Sequence, residues 1–356
     1  MNNLAKTNDF APAITLMFFA PLVAEILPGA TRFSAIFVFP IEVCVWGGGA
    51  LLIRYAVRRW QLGWVSMLLL ALALAVAEEC LIQQTSLAPM VIRLKGETYA
   101  RAGGINYVYL LWALIYEAVF VVIVPIHLVE LLYPSRRERP WISKLGLWVI
   151  IPLFLIGSVL AWFSWTRIAR PKVFHLPIYT PPAPQIILAV IIILSLIFIA
   201  LKKAPVLSQK PMRSPVSTSQ TITPPTSISY PVAPPAPILL IIAAALWSIL
   251  LFGLVLLGFG IAPQFPPAAA IAGGIILAIA GPLTIPRWKS HQRWKSLHIF
   301  ALVLGILLGS MAISFIGFIG SAGPDLYFKI IMDGIAVILL AIWAFKRVRT
   351  WQHLQT

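Results

Sequence analysis

Residues 185–201 read QIILAVIIILSLIFIAL, and residues 61–84 read QLGWVSMLLLALALAVAEECLIQQ. Both stretches are close to the roughly 20 apolar residues that a helix needs to cross the hydrocarbon core of a bilayer. The first contains no charged residue, and the second is uncharged until it reaches two adjacent glutamates. These stretches predict membrane-spanning helices, one of which carries acidic groups inside the membrane.

The rest of the chain has the same character. It is 60% hydrophobic and only 11% charged, with a mean hydropathy of +0.93, whereas about a quarter of the residues of a soluble domain are charged. Comparable apolar stretches occur at 10–28, 33–54, 61–84, 106–132, 145–165, 185–201, 238–262, 268–285, 297–319 and 326–346. The sequence therefore predicts an all-α polytopic membrane protein with about ten transmembrane helices.

The basic residues predict the orientation of these helices. Of the 27 lysines and arginines, nineteen fall in segments that would share one side of the membrane, and seven fall on the other side. Cytoplasmic loops carry an excess of such residues. We therefore expect both termini to be cytoplasmic, in a bacterial-type cytoplasmic membrane. The net charge of +16 reflects this topology, so we expect the lipid bilayer, and not nucleic acid, as the partner of the basic residues.

Residues 202–237 divide the chain. They contain nine prolines and ten serines or threonines, and such a composition cannot bury enough apolar surface to fold by itself. We interpret this segment as an extended cytoplasmic linker. It separates a six-helix unit, residues 1–201, from an apolar four-helix unit with a basic C-terminal tail, residues 238–356. Whether the linker also binds a partner is left open.

Seven acidic residues fall within the predicted spans. Placing an ionisable group at the centre of a bilayer costs at least about 2.5 kcal/mol, so each one indicates a cavity, a partner or a function. Glu130 is expected at the cytoplasmic surface in an ion pair with Arg136 or Arg137. The other six are expected in the outer half of the membrane: Glu25, Glu42, Glu78, Glu79, Glu117 and Asp333.

We predict that Glu42, Glu79 and Glu117 line a common cavity that opens outward. In an α-helix Glu79 would share a face with Gln83, whereas Glu78 points about 100° away. The second choices for the site are Glu25, Glu78, Gln83 and Asp333. A structural role is the alternative, with Glu25 paired to Arg32 and Asp333 paired to Lys329 one helical turn earlier.

Carboxylates from several helices in an apolar pocket are typical of transporters that exchange protons or bind cations. The favoured hypothesis is a non-enzymatic, transporter-like protein for a proton, a cation or a cationic small solute. No cofactor or metal is expected, and the oligomeric state is left open.

An intramembrane enzyme is the second hypothesis. Glu78 and Glu79, followed after three residues by Gln83, resemble the paired-glutamate motif of the CPBP (Abi, CAAX-protease-like) family, which has arginine at the last position. The resemblance covers about six residues and implies a protease whose glutamates act together with histidines on later helices. Only His175 is expected on the outer side, so a glutamate and histidine site would have to recruit it.

A third hypothesis is a non-catalytic membrane scaffold. Gly305 and Gly309 form a small-residue pair of the kind that lets two helices approach closely. We expect these glycines to contact a neighbouring helix of the same chain.

Overall fold

A computed structural model describes residues 10–91, 99–202 and 232–352, with side chains up to residue 346. We number the principal helices α1 to α10. Their bounds are Phe10–Ile26, Phe33–Arg59, Trp64–Ile82, Tyr107–Leu132, Lys144–Val173, Ala183–Lys202, Pro237–Gly258, Pro267–Lys289, Ser296–Phe318 and Pro324–Gln352. Within this part of the chain, a short antiparallel hairpin joins β1, Arg101–Ala102, to β2, Ile105–Asn106.

Nine of the helices in the described ranges are long and apolar enough to cross a membrane. The described part of the remaining helix, α1, is apolar but shorter. The outer surfaces of the bundle are also apolar, since Trp148, Leu194, Ile276 and Phe345 each expose more than half of their surface. An exposed apolar surface of this extent requires lipid around it. The chain is an all-α multi-pass membrane protein, as the sequence predicts.

Helix α4 lies at the centre of the bundle. Its residues Phe120 and Val122 are completely buried, and it contacts α7, α8 and α9 from beyond the linker. The main hydrophobic core combines Leu16 of α1 with Leu251 of α7 and Leu307 of α9. Residues 203–231, most of the predicted linker, lie outside the described residues. The division into two units stays a prediction, and helices from both sides of the linker share one core.

Gly305 and Gly309 bring α9 against α7. A Cβ atom added at Gly305 would lie 2.3 Å from the Ile241 carbonyl oxygen, and one added at Gly309 would lie 2.4 Å from that of Ala245. Neither position can hold a side chain without moving the neighbouring backbone. This confirms the expected packing of the glycine pair within the chain.

The connection between α3 and α4 folds back over the ends of the helices. Thr85, Ser86, Leu87 and Ala88 are buried, and the Asn106 backbone N–H donates to the Ser86 carbonyl oxygen at 2.9 Å. The Asn106 side chain caps α4 by accepting from the Tyr109 N–H, and it donates to the Gly258 carbonyl at the end of α7. The described parts of this connection, residues 83–91 and 99–106, therefore pack at the helix ends at which α3 stops and α4 starts, and we call them the lid.

Candidate functional site

Five glutamates from four helices lie at one level of the bundle. Counted from the helix ends on the predicted cytoplasmic side, they are 14 to 17 residues along α1, α2, α3 and α4, which is about 21–26 Å at 1.5 Å per residue. We call this group the glutamate cluster: Glu25, Glu42, Glu78, Glu79 and Glu117. Glu42, Glu78, Glu79 and Glu117 are each exposed by 9% or less. The expectation of a common level in the outer half is consistent with these positions.

Each of the four helices changes to a π-helical turn at its glutamate. The π-helical segments are Leu22–Ile26, Val43–Gly47, Glu78–Ile82 and Glu117–Ile123. Glu25 lies inside the first, Glu42 directly precedes the second, and Glu78 and Glu117 begin the third and fourth. A π-helical turn inserts one residue per turn and is frequent at functional sites. Here it also changes which side chains share a face of the helix.

The changed phase decides the partner of Gln83. In the π-helical turn of α3 the Gln83 backbone N–H donates to the Glu78 carbonyl oxygen, five residues earlier, at 2.8 Å. The Gln83 side chain consequently lies over Glu78 and donates to its Oε1 at 3.1 Å. The sequence-based placement of Gln83 with Glu79 assumed α-helical spacing, and the π-helical turn corrects it.

Glu79 binds the lid instead. Its Oε1 accepts a short hydrogen bond from the Ser86 backbone N–H. The chain can reverse between these two residues because Gln84 adopts a positive φ of 60°. Glu79 therefore holds Ser86 of the lid against the bundle.

Glu42 is held by the turn that joins α1 to α2. Thr31 Oγ1 donates to Glu42 Oε1 at 2.5 Å, and Glu42 Oε2 is buried without a hydrogen-bond partner among the described residues. Glu78 resembles it, because its Oε2 is also buried and unpartnered there. Each of these carboxyl groups keeps one oxygen free to accept a proton or to bind a ligand.

Aromatic residues of α4 form one wall of the cluster. The ring of Tyr116 stacks between Trp112 and Phe120 with centroid distances of 4.8 and 4.7 Å, and its hydroxyl donates to the Ala24 carbonyl oxygen. Tyr116 immediately precedes Glu117, and Ala24 immediately precedes Glu25. This contact therefore fixes α1 against α4 beside the two glutamates.

The carboxyl groups are close enough to interact electrostatically. Glu25 interacts with Glu42, Glu78 and Glu117, while Glu78 also interacts with Glu79. In the described residues, no ion pair joins any member of the cluster to a lysine, arginine or histidine. Arg32, the alternative partner of Glu25, donates to the Gly317 carbonyl at 3.0 Å and lies over the Phe318 ring. The cluster is a set of like groups without a counter-charge in this part of the chain.

Asp333 belongs to a separate arrangement. It forms a buried ion pair with Lys329 one helical turn earlier, and Lys329 also donates to the Leu27 carbonyl oxygen at 2.5 Å. The pair is the one that four-residue spacing in an α-helix favours, so Asp333 has a structural role. The structure does not bring Asp333 together with the glutamates, although Lys329 touches the turn that follows Glu25.

Glu130 is also paired, and its partners include two arginines of α2. Its Oε1 lies 3.1 Å from Arg54 Nε and 2.7 Å from Arg58 Nη2, and Glu130 and Arg54 are both buried. The expectation of a surface position is corrected, because α2 packs beside α4 at this level and buries the carboxyl group. Arg54 additionally donates to the carbonyl oxygens of Arg137 and Arg139.

An outward opening of the cluster stays a prediction. A cleft of about 420 Å³ lies between α3 and α5, next to the π-helical turn of α3. It is lined by apolar side chains such as Ala77, Ile82 and Phe154, and by none of the clustered glutamates. The described part of the lid contacts the cluster at Glu79.

Sequence reasoning missed several residues that shape the site. Thr31 and Ser86 donate hydrogen bonds to cluster glutamates, and Tyr116 donates to the carbonyl oxygen next to Glu25. The residues beside them in the sequence give no indication of these contacts. Prolines and glycines beside the acids were the available signal, because Pro28 and Gly29 form the turn that presents Thr31.

The described histidines lie elsewhere. His127 Nδ1 is 3.8 Å from Glu130, the ring of His298 stacks on Trp294, and His175 lies in the loop after α5. No group of three or more potential metal ligands occurs in the ranges that the structure describes. Comparison of the chain with protein-family models, curated proteins and solved structures found no match.

Proposed function

We propose that this chain is a transporter-like membrane protein in which the glutamate cluster takes up and releases protons, or a cation in their place. One observation carries the proposal: five carboxyl groups from four helices lie within electrostatic range of one another, four of them buried and Glu25 partly buried, and no cation in the described residues forms an ion pair with them.

Electrostatics decides what such a cluster must hold. Burial disfavours the charged form of a carboxyl group, and a like charge nearby disfavours it further. Five carboxylates therefore cannot all be ionised at once in an apolar environment. The cluster must keep protons or bind a positive ligand, and the number that it holds will depend on its access to water.

The hydrogen bonds of the cluster leave room for this exchange. Glu42 and Glu78 each use one carboxyl oxygen for a protein donor, Thr31 or Gln83, and leave the other unpartnered among the described residues. The donors keep the carboxyl groups in position whether or not a proton or cation is present. A bound cation would find oxygen ligands on several helices, which is the arrangement that couples binding to movement of helices.

The lid supplies a route for access. It contacts the cluster through the bond from the Ser86 N–H to Glu79, and this bond weakens when Glu79 takes up a proton. Protonation would then loosen the lid on the predicted outer side. The π-helical turns below it interrupt the regular α-helical hydrogen bonding, so they are places where the helices can rearrange.

Ion flux into proteoliposomes tests the proposal. Purified full-length chain is reconstituted with a pH-sensitive dye inside, and a pH gradient is applied with and without sodium, potassium or tetramethylammonium. We expect the wild type to dissipate the gradient faster than protein-free liposomes, and Glu42→Gln and Glu117→Gln each to lower the rate at least tenfold. Glu138→Gln is the control, because this glutamate is exposed and remote from the cluster.

The outcomes separate the three hypotheses. A wild-type rate equal to that of empty liposomes, or a rate unchanged by both cluster variants, would remove the transport proposal. Peptide cleavage that is abolished by Glu79→Gln would favour the intramembrane protease instead. If the protein shows neither flux nor cleavage, the scaffold hypothesis remains. The close packing of α7 and α9 supports that hypothesis.

A further inference from the structure

A buried arginine outside the glutamate cluster has no hydrogen-bond partner among the described residues. Arg170 is in the last turns of α5, within the π-helical segment Ser164–Val173, and only 1% of its surface is exposed. Its Nε, Nη1 and Nη2 atoms are all buried, and none of them meets an acceptor among the described residues. A guanidinium group is always charged and offers five N–H donors, so this arrangement is costly as it stands.

Other arginines in the described chain show how such a cost is usually offset. Arg54 is equally buried, and it is paired with Glu130 and bonded to two carbonyl oxygens. Arg101 is only partly buried, and it still donates to the carbonyl oxygens of Leu87, Ala88 and Gly104. Among the described residues, Arg170 meets no hydrogen-bond acceptor of either kind.

A second donor on the same helix face also lacks an acceptor. Trp165 precedes Arg170 by five residues in the same π-helical segment, which places it about one turn earlier on the helix. The Trp165 Nε1 atom is buried and has no hydrogen-bond partner in the ranges that the structure describes. The two side chains therefore offer only donors, and those donors are unsatisfied within the described residues.

The surroundings of this face are basic. Tyr179, in the loop after α5, lies near both Arg170 and Arg101. The segment Ser164–Val173 also contains Lys172, and its sequence contains no acidic residue. A chain reversal brings the loop back to the helix, since the Leu176 N–H donates to the Arg170 carbonyl oxygen at 2.9 Å.

We propose that Arg170 and Trp165 form a binding site for a phosphate-type anionic group, with Tyr179 and Arg101 at its edge. A guanidinium binds two oxygens of a phosphate at once, and an indole N–H can donate to a third. The group is supplied by the headgroup of an anionic lipid or by free phosphate. The α5 helix spans 30 residues, about 45 Å, so its end reaches beyond the roughly 30 Å hydrocarbon core into the headgroup region.

Ligand binding to the purified full-length chain tests the site. The protein is held in a neutral detergent and titrated with phosphatidylglycerol, with phosphatidylcholine of the same acyl chains, and with inorganic phosphate against chloride at equal ionic strength. Bound lipid is counted by native mass spectrometry, and binding is measured independently as a rise in Tm. We expect phosphatidylglycerol to bind at least tenfold more tightly than phosphatidylcholine.

Variants connect this binding to Arg170. We expect Arg170→Gln to lower the affinity at least tenfold, and Arg170→Lys to lower it less, because it keeps the charge but loses the planar fork. Arg167→Gln is the matched control. It is three residues away and lies 5.1 Å from the Trp162 ring, so its loss should change the affinity less than threefold.

Each outcome either tests the proposal or identifies the source of the anionic group. Arg170-dependent binding of phosphatidylglycerol alone identifies a lipid site, and Arg170-dependent binding of inorganic phosphate identifies a site for a soluble anion. If Arg170→Gln does not fold, Trp165→Phe removes one donor, keeps an aromatic ring and should weaken binding about threefold. A wild type that prefers neither anion, or a preference that survives both variants, would overturn the proposal.

Discussion

Glutamates lie in this membrane protein in two opposite electrostatic settings. Glu130, near one end of α4, is buried against Arg54 and Arg58. Glu117, on the same helix and 13 residues earlier, is buried among four other carboxyl groups. Both cost energy to place in an apolar environment, but only Glu130 has a cation in the described residues that compensates it. Helix α4 therefore carries one glutamate that has a counter-charge and one glutamate that has none among the described residues.

Under the proposed function, the compensated glutamate has a structural role and the uncompensated cluster exchanges protons or a cation. A compensated ion pair is costly to break because the remaining partner is left charged and buried. An uncompensated cluster gains nothing from ionising all of its members, so it retains protons and can exchange them. The two regions should consequently respond in opposite ways when a glutamate is replaced by glutamine.

Glu130→Gln should have the largest effect on stability. It leaves Arg54 buried without a full counter-charge, and we expect a loss of about 3 kcal/mol in the free energy of unfolding. Titration with a denaturing detergent in mixed micelles measures this loss against the wild type. A loss below about 1 kcal/mol would show that the carbonyl oxygens of Arg137 and Arg139 are sufficient to satisfy Arg54.

Glu117→Gln should have a much smaller effect. Glutamine has nearly the same shape and removes one like charge from the cluster, so the free energy of unfolding should change by less than about 1 kcal/mol in either direction. The same detergent titration measures it at neutral pH. A loss as large as that of Glu130→Gln would mean that Glu117 has a cationic partner, and the contrast between the two regions would disappear.

Glu138→Gln should have the smallest effect. This residue lies in the loop after α4; burial raises the pKa of its carboxyl group, but the hydrogen bond from Arg137 and the charges of Arg58 and Arg137 outweigh burial and hold the pKa below its ordinary value. The stabilisation is present above the pKa of the unfolded chain and is lost as the pH falls through the lower pKa of the folded chain. Because the side chain is two-thirds exposed, we expect less than about 0.5 kcal/mol at pH 7.

Measuring wild type and Glu138→Gln between neutral and acidic pH checks this sign. The two proteins should differ most at neutral pH and converge as Glu138 becomes protonated. A difference in stability that grows on acidification would mean that the folded protein raises, and does not lower, the pKa of this carboxyl group.

The sequence was sufficient for features that depend on local spacing. Apolar stretches of about 20 residues predict the spans, because the thickness of the bilayer sets the length. Lys329 and Asp333 are four residues apart in a regular α-helix, so the sequence already suggested their pairing as the alternative to a role of Asp333 in the site. The contact of Gly305 and Gly309 with α7 was expected from the close approach that small residues allow.

The sequence was insufficient where the helices depart from α-helical geometry or meet distant helices. Gln83 was assigned to Glu79 because a π-helical turn in α3 cannot be identified from residue spacing. Glu130 was expected at the surface beside Arg136 and Arg137, which are near in sequence, and the approach of Arg54 and Arg58 from α2, which buries it, could not be predicted. The same limit applied to Arg170, which was counted only as one of seven basic residues on the outer side.

By itself, the sequence determined that this chain is a bundle of apolar helices in a membrane, and that acidic groups lie within them, because hydrophobic length and charge are properties of each segment alone. Only the tertiary structure decided which of those acids face a cation and which face each other. That choice depends on how four helices pack and where their turns widen, and the energy of a buried charge is set by the groups around it in space.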